Sequence, residues 1–323
     1  MYNISLINKS FLAGEGLTIF GSAKDQNVIL EHSCLSARCR SCVAKVLSGS
    51  TESLNTDFVL SEKERAEGYI LTCNAIPKSD LILDVEDLSD YALSKSKIFP
   101  AKIQSIDYLT DEVVHLKLRM PPSVSFNYLS GQYVNIIRGN IKRSYSIANG
   151  SNELDYLEFF IKKYDHGTMS KYWFEEAKPN DLLRVEGPLG TFFLRDTLKK
   201  NIVFLATGTG IAPVNSILNS FDESIFDTKN VYLFWGEKKL DNLFLEFNQF
   251  ERVEFLKVLS REKSENTYQG YVQDALLSSG IDLEDSQIYA CGSNEMIKSA
   301  RELLISLGLD SKEFYSDAFV ISN

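Results

Sequence analysis

At 323 residues, with 44% hydrophobic and 24% charged side chains, the chain is long enough for two or three separately cored domains and too apolar to be disordered. Its formal charge of −10 argues against a general nucleic-acid or anionic-membrane binder. The start, Met1-Tyr2-Asn3-Ile4-Ser5, lacks a secretory leader pattern, and no apolar run approaches the ~20 residues of a membrane helix, so a cytoplasmic location away from membranes is expected.

Residues 1–92 read as a small α+β domain. Strands are expected over Tyr2–Asn8, Val43–Leu47 and Leu81–Val85, with a helix over Leu17–Gln26 leading toward Val28–Leu30. Ser61-Glu62-Lys63-Glu64 has the Ser-x-x-Glu form of a capping box, which predicts a short helix there. Cys34, Cys39, Cys42 and Cys73 dominate the domain, with four, two and thirty residues between them. That is the plant-type [2Fe–2S] spacing, in which a short loop offers three thiolates and a strand end, here Tyr69–Thr72, delivers the fourth. Two other readings stand beside it. A structural zinc site usually pairs two C-x-x-C knuckles, and one is present. A redox dithiol would use Cys39 and Cys42 but leave Cys34 and Cys73 idle. Thiolates dedicated to a cluster suit a reducing compartment. The domain carries thirteen acidic against eight basic residues, which suits either docking on a basic partner or a merely solvated surface. The polar, basic stretch 93–98 reads as a linker.

From residue 99 to 197, short apolar runs at Ala101–Ile106, Val113–Leu118, Tyr133–Ile137, Leu157–Ile161 and Leu182–Val185 are separated by Gly, Pro and Asn, predicting an antiparallel β-barrel or sandwich. Within it lie Arg143-Ser144-Tyr145-Ser146, then Ile161-Lys162 and Gly167-Thr168-Met169-Ser170. Arg143 can pair with a pyrophosphate, the Tyr145 ring can pack on a flavin, and Ser146 can hydrogen-bond its N5. The Gly167–Ser170 segment would open a helix toward the same phosphates. Alone, these residues equally describe an ordinary strand with an exposed arginine.

From 198 to 323 strands and helices alternate. Strands are expected at Ile202–Ala206, Val231–Trp235, Val253–Leu259, Gln287–Ala290 and Glu313–Ser316, with helices around Ile211–Asn219, Val272–Leu277 and Asn294–Leu307. This predicts an α/β doubly wound parallel sheet with its ligand beyond the carboxyl ends of the strands. Thr207-Gly208-Thr209-Gly210-Ile211-Ala212-Pro213 would let backbone approach a pyrophosphate, or would simply be a tight strand–helix turn. Cys291-Gly292 falls on the same rim, Cys291 being either near a nicotinamide or a buried, inert thiol. His32, His115 and His166 are scattered and read as structural or surface residues.

In this order, cluster, flavin barrel and nucleotide domain, the chain resembles the ferredoxin–NADP reductase superfamily in the branch with a plant-type ferredoxin (β-grasp) domain at its N-terminus. The resemblance covers essentially all residues and implies that the R-x-Y-S and G-x-x-S motifs hold FAD and the G-T-G-x-A-P and C-G motifs the nicotinamide nucleotide. It further implies that Ser146 assists at the flavin, that Cys291 and Asp317 shape the nicotinamide pocket, and that Phe319 covers the isoalloxazine. Within the branch, Arg143–Asn149, Glu186–Phe193 and Phe314–Val320 are similar to the reductases of 3,6-dideoxysugar biosynthesis. Those pass electrons from NADH through FAD and the cluster to a PMP-dependent 3-dehydrase of a CDP-4-keto-6-deoxy sugar. The same modules also occur in reductase components of phenol or methane monooxygenases. An iron–sulfur redox sensor without turnover would not need the flavin and nicotinamide motifs.

Two features depart from the family. Its cluster loops read C-x-x-G-x-C-G-x-C, whereas Ala37 and Arg40 stand at the glycine places here. If those places require φ > 0, each side chain costs roughly 1 kcal/mol, and the Arg40 cation is expected to raise the cluster potential. Ser260-Arg261 resembles the pair that grips the 2′-phosphate in NADPH-using relatives, although a solvent-facing arginine reads the same way. NADH is the expected nucleotide, with NADPH as the alternative.

Overall fold

The computed structural model describes residues 1–56, 59–152 and 155–319. The chain divides into two compact units, Met1–Leu93 and Ser94–Asn323.

The first unit contains β1 (Tyr2–Ser5), β2 (Ser10–Ala13), α1 (Ile19–Asp25), β3 (Val43–Ser48), β4 (Thr51–Ser53), α2 (Glu62–Ala66), β5 (Tyr69–Leu71), β6 (Ala75–Pro77) and β7 (Leu81–Leu83). The five-stranded sheet runs β2-β1-β7-β3-β5, with β1 and β7 parallel at its centre. The first strand stops at Ser5 rather than Asn8 because Leu6 N–H donates to Lys9 O at 2.7 Å, turning the chain back into β2. Thr18 caps α1, which buries Ile19 and Ala23 against Ile4, Leu81 and Leu83. This helix across a mixed sheet is the β-grasp arrangement. The expected capping box forms on α2, with Ser61 Oγ accepting from Glu64 N and the Glu64 carboxylate accepting from Ser61 N.

The second unit opens with six antiparallel strands, β8 (Lys97–Thr110), β9 (Val113–Arg119), β10 (Tyr133–Arg138), β11 (Ile141–Ser146), β12 (Tyr156–Lys162) and β13 (Leu182–Leu189). They are ordered β11-β10-β13-β8-β9-β12. The outer strands are joined where Ala148 N–H donates to Glu158 O at 2.8 Å, closing a barrel around Val134, Ile136, Leu157, Phe159 and Trp173. Lys97 and Ile98 pair with Gly187 and Glu186 as the first residues of β8. Between β12 and β13 a single helical turn, α3 (Thr168–Lys171), runs into a π-helical turn over Tyr172–Glu176.

A six-stranded parallel sheet follows: β14 (Asn201–Thr207), β15 (Asn230–Glu237), β16 (Val253–Leu259), β17 (Thr267–Gln269), β18 (Ser286–Gly292) and β19 (Phe314–Ala318). Helices α4 (Ile211–Asn219), α5 (Val272–Ser278) and α6 (Asn294–Ser306) connect it. The order is β17-β16-β15-β14-β18-β19, so the winding reverses between β14 and β18. Strand β14 is apolar from Ile202 to Ala206 because, as a central strand covered on both faces, it has no solvated side there. Helix α4 ties the sheet to the barrel: Asn215 Nδ2 donates to Ala148 O at 2.9 Å and Ser216 Oγ to Asn149 O at 2.6 Å.

Candidate functional site

The structure brings the four cysteines of the first unit together in two pairs. Cys34 N–H donates to Cys39 Sγ at 3.4 Å, and Cys42 Sγ lies 3.3 Å from Cys73 Sγ. Among the described residues no group of three or more metal-ligating side chains converges on one ion position. Two thiol pairs fit two irons of a rhomb better than one tetrahedral zinc, which needs four sulfurs around a single point. Loop amides point at the sulfurs: Ser36 N–H reaches Cys34 Sγ at 3.4 Å, and Ala37 hydrogen-bonds Cys73 through its backbone. The Cys39 hydrogen bond brings Cys34 down to about 5, while the Cys73 hydrogen bond and burial push Cys42 up.

The two departures from the glycine pattern differ in backbone. Ala37 has φ 55°, and its neighbour Leu35 has φ 50°, so Ala37 holds a left-handed conformation. Arg40 is absent from the positive-φ residues, and its guanidinium is ion-paired with Glu64. The Arg40 cation expected beside the cluster is therefore accompanied by a carboxylate.

In the second unit, β11 places Arg143, Tyr145 and Ser146 near the seam of the barrel. Tyr145 Oη accepts from Trp173 Nε1 at 2.9 Å, which orients its ring. Arg143 is half-exposed and donates to Lys142 O at 2.9 Å. A Cβ on Gly167 would lie 3.1 Å from Ser170 Oγ and 3.2 Å from Tyr164 O, so this turn closes tightly. Ser170 Oγ accepts from Tyr164 N–H at 2.9 Å. Thr168 is exposed at the start of α3, whereas Ile161 and Met169 point into the barrel core and offer backbone alone. Lys162 lies 3.9 Å from Glu112. An arginine, an oriented tyrosine, a buried hydroxyl and a tight glycine turn are a donor set suited to a flavin dinucleotide.

The parallel sheet supplies the neighbouring half of the site. Thr207 ends β14, and Gly208–Gly210 form a 3-10 turn before α4, with Thr209 and Pro213 buried. A Cβ on Gly210 would strike the carbonyl oxygen of Cys291, and one on Gly292 would strike Thr207 Oγ1. Gly292 has φ 146°. The bare backbone of β14 and β18 therefore meets at the switch point, where α/β sheets bind nucleotides. Cys291 itself is fully buried, and burial, then Asp317, pushes its thiol up. Asp317, its register partner on β19, accepts from Ser146 Oγ at 3.4 Å, joining the barrel to the nucleotide rim. Phe319 N–H donates to Gly292 O at 2.9 Å, bringing the tail to the same place; Val320 of the tail motif lies outside the described residues.

Ser260 and Arg261 are exposed beyond β16, their amides donating to Glu237 O at 2.9 Å and Lys238 O at 3.1 Å. Glu237 was not anticipated from sequence. It ends β15, its Oε1 would lie 3.5 Å from a Cβ on Gly208, and burial pushes its carboxyl up. The available signal was its place at a carboxyl strand end next to the glycine turn, where a ribose-binding acid commonly sits.

Comparison with known proteins agrees with this layout. Residues 5–78 match the 2Fe-2S iron-sulfur cluster binding domain, residues 100–194 the oxidoreductase FAD-binding domain and residues 204–302 the oxidoreductase NAD-binding domain. The chain is 38% identical over 311 residues, 94% of each protein, to the CDP-6-deoxy-L-threo-D-glycero-4-hexulose-3-dehydrase reductase of Yersinia pestis. It is 28% identical over 321 residues, 95% of this chain and 90% of the other, to the phenol hydroxylase P5 protein of Acinetobacter pittii. The crystal structure of the Amycolatopsis cytochrome P450 reductase GcoB has the same fold, with a TM-score of 0.73 over 99% of both chains at 21% identity. The chain therefore belongs to the ferredoxin–NADP reductase superfamily, in the branch with an N-terminal [2Fe–2S] domain, and is an iron–sulfur flavoprotein oxidoreductase.

Proposed function

We propose that this reductase draws electrons from NADH and delivers them to a PMP-dependent 3-dehydrase acting on a CDP-4-keto-6-deoxy sugar. The observation that carries this reading is the 38% identity across 94% of both chains to a reductase of that dehydrase class. When bound, the flavin converts the paired electrons of a nicotinamide into single electrons that the cluster can carry. Arg143 and the Gly167–Ser170 turn would hold the FAD pyrophosphate, with Tyr145 against the ring system and Ser146, steadied by Asp317, at its reactive nitrogen. Gly208, Thr209, Gly210 and Gly292 would cradle the nicotinamide dinucleotide. Cys291 would act through its backbone, since its thiol is buried. Phe319 would cover the flavin. Glu237 supports NADH, because a carboxylate beside the ribose accepts hydrogen bonds from a diol and repels a 2′-phosphate; Ser260 and Arg261 would serve the adenosine end.

We further assign residues 1–92 to the cluster domain, 93–96 to the linker, 97–197 to the flavin domain and 198–323 to the nucleotide domain; Lys97 and Ile98, expected in the linker, already pair with Gly187 and Glu186 in the barrel. Among the described residues no helix is long and apolar enough to cross a membrane, which supports work in the cytoplasm beside a cytosolic acceptor. The likeness to a phenol hydroxylase component keeps one second reading, delivery to an oxygenase. Reconstitution decides: holo-reductase with the sugar dehydrase should couple NADH oxidation to 3-deoxygenation. Coupling only to an oxygenase hydroxylase would replace this proposal with the second reading.

A further inference from the structure

Arg40 stands between two cluster cysteines, where the family pattern has glycine, yet its side chain is only 12% exposed. Its carbonyl accepts from Val43 N–H at 3.0 Å, in the turn that carries Cys42 into β3. The guanidinium donates through Nη1 to Val59 O at 2.8 Å and to Glu64 Oε2 at 3.3 Å, and through Nη2 to Glu64 Oε1. Glu64 is held in turn, since Oε2 also accepts from Ser61 N–H at 2.8 Å and Ser61 Oγ at 2.9 Å. The neighbours of the clamped carbonyl complete the picture: Val59 and Leu60 pack with Cys42, Leu71 and Cys73. One planar fork therefore joins the cluster loop, the apolar wall beside the Cys42/Cys73 pair and the capped start of α2.

We propose that Arg40 is a positioning residue for the iron–sulfur centre: paired with Glu64, it forms a charge-compensated clamp that holds the Val59–Leu60 wall over Cys42 and Cys73 and thereby sets the lifetime of the centre. A guanidinium is required because its fork serves a carbonyl and both carboxylate oxygens at once, whereas an ammonium offers no such fixed geometry. Charge compensation has its own consequence. Reduction adds negative charge to the centre, so a nearby cation favours it and a nearby anion opposes it. Removing Arg40 leaves Glu64 uncompensated and lowers the potential; removing the Glu64 charge leaves Arg40 and raises it; removing both returns the potential toward the starting value.

The inference rests on a [2Fe–2S] centre in the first unit, and its test uses the full-length holoprotein. Arg40→Gly, Arg40→Lys, Glu64→Gln and the Arg40→Gly/Glu64→Gln double variant are compared by the decay of cluster absorbance under a chelator, by redox potentiometry and by EPR of the reduced protein. Flavin content serves as the folding control. Cluster decay should speed up about tenfold in Arg40→Gly, Glu64→Gln and the double variant, as expected when a half-buried pair loses a partner. Arg40→Lys should keep the potential but not the lifetime. The potentials of the two single-charge variants should move in opposite directions. If Arg40→Gly cannot be loaded with iron, Arg40→Lys and Glu64→Gln carry the same test. Unchanged decay in those two variants, or potentials that move the same way in Arg40→Gly and Glu64→Gln, would overturn the clamp. A wild-type protein without the EPR signal of a reduced [2Fe–2S] centre would overturn the centre and the clamp together.

Discussion

Gly210→Ala tests whether the meeting of β14 and β18 is the nucleotide platform. Gly210 has φ −60° and ψ −11°, a conformation open to any residue, so its backbone does not require glycine. Sterics do: an added Cβ would press on the Cys291 carbonyl oxygen and lie 2.9 Å from Gly292 Cα. Both are backbone atoms of a central strand and cannot swing aside. The turn must move off β18, at about 1–3 kcal/mol for overpacking of this kind, or roughly 3–10 °C in Tm for a unit of this size. Displacing the rim should also lower kcat/KM for NADH about a hundredfold. Gly208→Ala is the control. Its φ is 57°, and the new Cβ would meet only Glu237 Oε1 at 3.5 Å. It therefore carries about 1–2 kcal/mol of left-handed strain without pushing the turn off β18. Thermal melting followed by flavin fluorescence, with stopped-flow flavin reduction by NADH, separates the two. If Gly210→Ala melts and reacts like the Gly208 variant, the contact with Cys291 is not what shapes the site.

Glu237→Gln removes a charge from the end of β15 and should raise kcat/KM for NADPH about tenfold while NADH use falls; steady-state assays with both nucleotides would show an unchanged ratio if Glu237 faces elsewhere. Ser146→Ala should slow flavin reduction by NADH about tenfold with flavin still bound, and a stopped-flow rate equal to wild type would remove Ser146 from the reaction. In Glu158, burial by itself raises the carboxyl, but His115 at 3.3 Å and the Lys117 ammonium at 2.6 Å outweigh it and the net shift is downward from 4.5. The contribution is therefore present above pH 4.5 and lost as pH falls below it. Denaturation between pH 6 and 3 (roughly, the span bracketing that titration) should show a shallower loss for Glu158→Gln than for wild type, and parallel curves would refute the assignment.

Much of the site was legible as spacing. Cysteines with four and two residues between them can share a loop whatever surrounds them, which is why Cys34, Cys39 and Cys42 needed no tertiary information. A continuous apolar run likewise marked β14, because a strand buried on both faces must be apolar along most of its length. Ile161 and Met169 show the limit of motif reading: each sits inside a flavin-binding stretch, yet its side chain belongs to the barrel core. Strand β17, three residues long and only partly buried, leaves no pattern to detect.

Composition and local pattern alone determined the three-part order of cluster, flavin and nucleotide modules, since each is marked by motif residues that lie close together in the sequence. Only the tertiary structure decided what compensates or orients the reactive residues. Ser146 meets Asp317 across 171 positions of sequence, and Arg40 finds Glu64 across 24. No periodicity encodes such pairs, because their energy comes from desolvated charges and hydroxyls that approach one another only after the chain has folded.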